Sequence, residues 1–185
     1  MSMLRVIALA TVVSLLSTLP ASAQRAKRAR KRISPHETVS AVIGGNEIKL
    51  TYGRPYSKNP RGTDIRKIWG SLVSYGKAWR LGADEATTLV LQKGIKIGDA
   101  AIPAGTYTLY LIPEENGGKL AFSKTVGKWG VPVDQKNDLV RVDVKKESLS
   151  PALDQLAIAI DKGDNGGVLK FMWEDSQYIV NFTNE

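Results

Sequence analysis

The chain has 185 residues, with 26 Lys and Arg against 18 Asp and Glu, which gives a formal net charge of +8. Seven of the basic residues and none of the acidic ones precede residue 33, so 33–185 carries 19 basic against 18 acidic residues, a net charge of +1. This distribution excludes a globally basic domain, and it indicates no specific nucleic-acid partner. A composition of 43% hydrophobic and 24% charged residues is that of a globular protein with a substantial core.

Residues 1–23 have the pattern of a secretory signal, in which Arg5 precedes an apolar run over 6–19 and small residues lead up to Ala23. The run is shorter than the about 20 apolar residues that span a bilayer. We therefore predict cleavage and export to the periplasm or the exterior of a bacterial cell, with no transmembrane helix in the mature chain. An uncleaved N-terminal anchor is the alternative.

Residues 24–33 predict a disordered basic arm that precedes a single domain over 34–185. Such an arm is a candidate for contact with an anionic envelope surface, and the alternative is a solvated tail that only raises solubility. Its candidate contact residues are Arg25, Lys27, Arg28, Arg30, Lys31 and Arg32.

The body predicts an all-β fold, an antiparallel β-sandwich or a jelly-roll-like fold with about ten short strands. Gly44-Gly45-Asn46 is typical of a hairpin turn between two of them. The predicted strands lie at 41–43, 47–52, 87–92, 94–97, 105–112, 119–123, 139–145, 155–161, 168–173 and 178–182. Only 64–72 has apolar residues at helical spacing, which predicts one or two helical turns there, and 132–138 is a candidate for a further turn.

Several classes of chemistry lack the residues they need. The only His is His36, in a position expected to be flexible, which disfavours a Ser-His-Asp triad. The chain has no Cys, so it has no disulfide and no zinc site built on Cys and His. The sequence has no G-x-x-x-x-G-K-[ST] loop and no G-x-G-x-x-G motif after a predicted strand, so it does not indicate nucleotide binding through either glycine-rich motif. We therefore assign no catalytic residue, no metal site and no cofactor, and leave the oligomeric state open.

The densest group of aromatic and charged residues lies in 52–88. Aromatic faces offer stacking surfaces, and Arg binds carboxylate or phosphate through two hydrogen bonds. The alternative is structural, with the aromatic rings filling the end of the sandwich and Arg paired with Asp or Glu. The candidate ligand-binding residues are Arg54, Trp69, Trp79, Arg80, Asp84, Glu85 and Thr87.

Several segments of the chain have a characteristic order and spacing, namely 34–40, 51–55, 66–70, 75–88, 102–107 and 128–130. Over nearly all of 34–182 this succession resembles the DUF2911 family of exported bacterial proteins. Members often have Asn where this chain has Asp84, and Ser where it has Gly53. The resemblance implies an exported location and a β architecture, and it implies no activity.

Three classes of function follow. The first is a non-enzymatic envelope module that binds a polar ligand, such as a glycan, through 52–88. The second is a hydrolase of envelope polysaccharide that pairs Asp84 or Glu85 with a distant carboxylate such as Glu174 or Asp175. The third is a structural or protein-interaction module.

Overall fold

The computed structural model describes residues 32–185, which contain nine strands and no helix. The predicted signal at 1–23 and the arm residues Arg25, Lys27, Arg28, Arg30 and Lys31 lie outside the described residues. The strands are β1 (His36–Ile43), β2 (Asn46–Gly53), β3 (Thr87–Leu91), β4 (Ile95–Ile97), β5 (Ala100–Ile102), β6 (Gly105–Glu114), β7 (Gly117–Ser123), β8 (Asp138–Gly163) and β9 (Gly166–Asn184).

All nine strands form one antiparallel sheet in the order β1-β2-β3-β6-β7-β8-β9-β4-β5. This confirms the all-β prediction. The β1–β2 hairpin turns at Gly44 and Gly45, whose φ angles of 54° and 74° suit glycine. Along β2, buried and exposed residues alternate, as in a strand with one face on the core.

The two longest strands bend. The register of β8 with β9 shifts between Ser148 and Leu153 and again between Leu153 and Ala157. Four of the predicted strands are therefore the two halves of β8 and of β9, because the chain stays extended through its bend instead of forming a loop.

These bends let the sheet fold back on itself. The segment after β2 pairs with the middle of β8, where the Leu156 amide donates to the Pro55 carbonyl at 3.0 Å and the Ser57 amide donates to the Asp154 carbonyl at 2.6 Å. Buried side chains of β2 and of the second half of β8, such as Leu50 and Ile158, belong to the same hydrophobic cluster. The arrangement is consistent with the predicted sandwich.

The predicted helical turns at 64–72 are wrong. Ile68 and Trp69 are buried, whereas Ile65 and Leu72 are 67% and 46% exposed, so the apolar residues do not share one face. Gly70 has a φ of 75°, and the Val73 amide donates to the Ile68 carbonyl at 2.9 Å, which closes a tight turn. Helix nucleation is costly, so apolar residues at helical spacing over only 64–72 do not form a helix where tertiary contacts favour a turn. Residues 132–138 contain a turn at 136–137, as predicted.

Two connections are much longer than their strand pairing requires. β2 and β3 are adjacent antiparallel strands, yet 54–86 lies between them, and β7 and β8 are adjacent, yet 124–137 lies between them. Adjacent antiparallel strands can be joined by two residues. Long irregular connections of this kind usually carry function. No helix within 32–185 is long and apolar enough to cross a membrane.

Candidate functional site

The connection 54–86 forms most of the wall of a cleft of about 970 Å³, which we call the main cleft. The stretch 130–133 of the second connection forms another part of the wall, and Asp154 and Trp173 contribute from the bends of β8 and β9. Ile33 and Ser34, which precede β1, complete it. The rigid sheet thus holds two irregular connections around one concavity.

Exposed apolar side chains concentrate at this cleft. The structure has eight large hydrophobic residues that are exposed within 32–185, and four of them line the main cleft. Tyr56 and Leu72 are 45% and 46% exposed, and Ile33 and Val131 are 60% and 62% exposed. A contiguous exposed apolar surface rimmed by polar residues is typical of a binding site.

Aromatic rings form the inner wall. Trp79 stacks on Trp173 with ring centroids 5.9 Å apart and an interplanar angle of 23°. Trp69 packs edge-on against Trp79 at 5.8 Å, and its indole Nε1 donates to the Trp173 carbonyl at 2.9 Å. Trp79 and Trp173 line the cleft, whereas Trp69 is only 4% exposed and lies behind them. Trp69 therefore supports the wall and does not reach a ligand.

Arg80 joins the two connections. Its Nε donates to the Gly82 carbonyl at 3.2 Å, and its Nη1 donates to the carbonyls of Asp84 at 2.6 Å and Trp129 at 3.1 Å. Burial lowers the pKa of the guanidinium, and the charges of Asp84 and Glu85 oppose that shift. No carboxylate within 32–185 forms an ion pair with Arg80, and no hydrogen bond recorded there uses its Nη2. Arg80 therefore brings a half-buried positive charge to the cleft wall that has no direct ion pair within 32–185, although the charges of Asp84 and Glu85 act on it.

Asp84 and Glu85 hold the start of β1. The Asp84 carboxylate accepts from the Ser34 amide at 3.4 Å, and His36 Nε2 lies 3.3 Å from a carboxylate oxygen of each acidic residue. Arg32 donates to Glu85 from Nε and Nη2, which lowers the pKa of the Glu85 carboxyl. His36 is the first residue of β1 and pairs with Gly53, so its predicted flexible position is wrong.

Arg54 and Thr87 make internal contacts. Arg54 Nε donates to the Leu156 carbonyl at 3.0 Å, and its Nη1 forms an ion pair with Glu37 at 3.0 Å. Thr87 is fully buried, and its hydroxyl donates to the Leu81 carbonyl at 2.8 Å. Neither residue lines the main cleft. Both instead fix the ends of the 54–86 connection to the sheet.

A second concavity of about 240 Å³, the small pocket, lies beside the main cleft. Its wall is mostly 125–134, and its floor is the face of β6 and β7 that carries Thr108, Tyr110 and Ser123. Thr108 and Ser123 are opposite each other in the β6–β7 register. Arg80 and 130–133 line both concavities, so they form a shared partition.

A family model described as a protein of unknown function (DUF2911) matches residues 34–182. The chain belongs to the DUF2911 family. No curated protein and no solved structure matches the chain. The matched region of this DUF2911 chain contains both long connections and the whole sheet except its last residues.

Of the seven candidate residues in this DUF2911 chain, Trp79, Arg80 and Asp84 line the main cleft, and the other four, Arg54, Trp69, Glu85 and Thr87, do not. Sequence reasoning missed Tyr56, Leu72 and 131–133. The sequence signal at these positions is an apolar residue inside a polar segment rich in Pro and Gly. An apolar residue in such a segment fits the exposed rim of a cleft better than a buried core. Asp154 and Trp173 had no such signal, because only the bends of β8 and β9 bring them here.

The hydrolase alternative finds little support in this geometry. Glu174 accepts from the Ile68 amide at 3.2 Å and Asp175 accepts from the Ser176 hydroxyl at 2.7 Å, and neither lines the cleft. The carboxylates that do line it are Asp84, which contacts His36, and Asp154, which accepts a hydrogen bond from the Ser57 hydroxyl. No group of three or more His, Asp or Glu side chains within 32–185 is arranged to hold a metal ion.

Proposed function

We propose that this DUF2911 chain is a non-enzymatic envelope module that binds a ligand with an apolar face and polar edges, such as a glycan, in the main cleft. The observation that carries the proposal is the concentration of exposed apolar side chains in a cleft built by two overlong connections. A volume of about 970 Å³ is that of a small-molecule site. Tyr56 adds a phenol ring whose body is apolar and whose tip is polar.

The polar part of the cleft suits neutral hydrogen-bonding groups as well as charge. Its polar lining residues include Lys58, Asn59, Arg66, Arg80 and Asp84. Arg66 donates to the Ser57 and Tyr56 carbonyls at 3.1 and 2.5 Å, which holds the backbone beneath Tyr56 in place. A sugar presents C–H faces to apolar side chains and hydroxyls to such groups, so it matches both parts of the wall.

The test is a thermal-shift and calorimetric screen of neutral and acidic envelope-type oligosaccharides against the chain. A ligand present at about 100 times its Kd stabilises the folded state by about 2.7 kcal/mol, which raises the Tm by roughly 5–10 °C for a protein of this size. Leu72→Ala removes an exposed cleft side chain, and we expect it to weaken binding about fivefold.

The matched control is Ile65→Ala, since Ile65 is an exposed aliphatic residue of the same connection that does not line the cleft. Stabilisation by no oligosaccharide in the screen, or an equal loss of affinity in Leu72→Ala and Ile65→Ala, would contradict the proposal. The same assay with apolar peptides tests the interaction-module alternative, which the exposed apolar rim also favours.

The proposed place of action is outside the cytoplasm, supported by the signal pattern of 1–23. We expect mass spectrometry of the protein purified from cells to give an N-terminus at Gln24. We also expect retention on anionic vesicles that is sensitive to salt and that deletion of 25–32 removes. An intact Met1 would contradict cleavage of the signal, and retention unchanged by the deletion would contradict the role of the basic arm.

A further inference from the structure

The small pocket combines a buried hydroxyl group that has no hydrogen-bond partner with a mostly positive lining, and packing of the connection on the sheet does not explain either feature. The 124–137 connection covers the outer face of β6 and β7, where strand alternation places Thr108 and Tyr110 opposite the core-facing Tyr107 and Leu109. A pocket of about 240 Å³ remains between the connection and the sheet, with hydroxyl groups at its floor.

One of these hydroxyls is unpartnered. Thr108 is 8% exposed, and its Oγ1 has no hydrogen-bond partner within 32–185. The other hydroxyls are used: Tyr110 donates to Asp138, and Ser123 Oγ accepts from the Thr125 amide at 3.3 Å. A buried hydroxyl without a partner destabilises a fold, so its presence in a pocket points to a ligand that would satisfy it.

The charges around the pocket are mostly positive. Arg80 brings a guanidinium that has no direct ion pair within 32–185 and whose centre lies 6.0 Å from the Trp129 ring, and Lys128 is exposed at the rim. Asp134 is the one acidic residue of the lining, and its carboxylate accepts from the Thr125 hydroxyl at 3.2 Å and the Lys136 amide at 3.0 Å. Within the lining, Arg80 and Lys128 are positive and Asp134 is negative, and this excess of positive charge favours an anionic group.

We propose that the small pocket is a second subsite that takes the carboxylate of an acidic sugar, while the rest of the ligand occupies the main cleft. The inference rests on the proposed function, because Arg80 and 130–133 are shared by both concavities. The carboxylate pairs with Arg80 and Lys128 and accepts a hydrogen bond from the Thr108 hydroxyl. The chemistry fits a ring carboxylate of a uronic acid or the lactyl carboxylate of N-acetylmuramic acid.

The test compares matched acidic and neutral oligosaccharides by calorimetry. A mannuronate tetrasaccharide is paired with the mannose tetrasaccharide of the same linkage. A tetrasaccharide of alternating N-acetylglucosamine and N-acetylmuramic acid is paired with one of N-acetylglucosamine alone. We expect the acidic member of one pair to bind about tenfold more tightly, which corresponds to about 1.4 kcal/mol, and the pair that shows the preference identifies the source of the carboxylate. High salt should reduce the preference.

Two variants separate a subsite from a structural pocket. Lys128→Gln should reduce the preference about threefold or more, whereas Lys124→Gln, on the same connection but outside the lining, should not. Thr108→Val removes the unpartnered hydroxyl, so we expect it to keep or raise the Tm of the free protein and to weaken acidic binding.

Equal affinity for the acidic and neutral members of both pairs would overturn the subsite and leave the proposed function standing. An acidic preference that survives both Lys128→Gln and Thr108→Val would place the carboxylate elsewhere and would also overturn it. Binding of no oligosaccharide refutes the proposed function and this inference with it.

Discussion

The Thr87 hydroxyl gives a direct test of whether a candidate residue stabilises the fold instead of binding a ligand. Thr87 is the first residue of β3 and is fully buried, and its Oγ1 donates to the Leu81 carbonyl at 2.8 Å. Leu81 has a φ of 59°, an unfavourable conformation for a branched side chain that surrounding contacts must hold in place.

Thr87→Val keeps the shape of the side chain but leaves that carbonyl without its donor in a dry environment. Loss of one partner of a buried hydrogen bond costs about 1–3 kcal/mol. Val gains a little from its apolar methyl group and its strand preference. We expect a net loss of about 2 kcal/mol, which lowers the Tm by roughly 4–8 °C for a protein of this size.

Thr88→Val is the matched control on the opposite face of β3. Its hydroxyl donates to the Ala86 carbonyl at 3.3 Å and is only partly buried, so we expect a change of less than about 0.5 kcal/mol. Urea denaturation, monitored by tryptophan fluorescence, measures the free energy of unfolding of both variants. Equal stabilities of the two variants, or a loss of ligand affinity in Thr87→Val without a loss of stability, would refute the structural role.

Five other substitutions, at four positions, test the two connections around the site. Gly130→Ala places its Cβ 2.9 Å from the Cβ of Ala86, whereas Gly127→Ala has a similar φ and open space. Both variants have backbone strain of about 1 kcal/mol, and the close contact destabilises Gly130→Ala further, so thermal melts should show the larger loss of stability there. Calorimetry should show a loss of ligand binding only in Gly130→Ala. Asp84 has a φ of 62°, so in thermal melts we expect Asp84→Asn to be more stable than Asp84→Ala by about 1 kcal/mol. The hydrogen bond from Arg32 is the main cause that lowers the pKa of the Glu85 carboxyl. The ionised carboxylate therefore stabilises the fold at pH values above the ordinary Glu pKa, and this stabilisation is lost as the pH falls through the lowered pKa of the folded protein. We expect the difference in Tm between wild type and Glu85→Gln to close on acidification.

Much of the sheet could be predicted from local signals. Alternation along β2, the Gly44-Gly45 turn and the apolar faces of β6 are properties of neighbouring residues, and each was placed within a few positions. β5 (Ala100–Ile102) was missed because three residues give too short a pattern. The joined halves of β8 were missed because the Ser-Pro step at 150–151 has the composition of a loop.

The site was predicted only in part, because a cleft wall is a long-range property. Part of the 52–88 segment that the sequence singled out, including Trp79, Arg80 and Asp84, lines the cleft. The sequence could not separate them from two buried residues of the same segment, Trp69, which has the residue type of Trp79, and Thr87. Nor could it show that 130–133 forms the partition between two concavities, since that depends on how the β7–β8 connection covers the sheet.

The indole spectrum of the four Trp residues tests the central claim most directly. Trp79 lines the main cleft, Trp129 lines the small pocket, and Trp69 lies behind the wall with its Nε1 bonded to the Trp173 carbonyl. In protein labelled with ¹⁵N at Trp and assigned by single Trp→Phe variants, an oligosaccharide that binds should shift the Trp79 signal most and the Trp69 signal least, and an acidic one should also shift Trp129. Binding that leaves Trp79 unchanged, or that shifts Trp69 as much as Trp79, would contradict the location of the site.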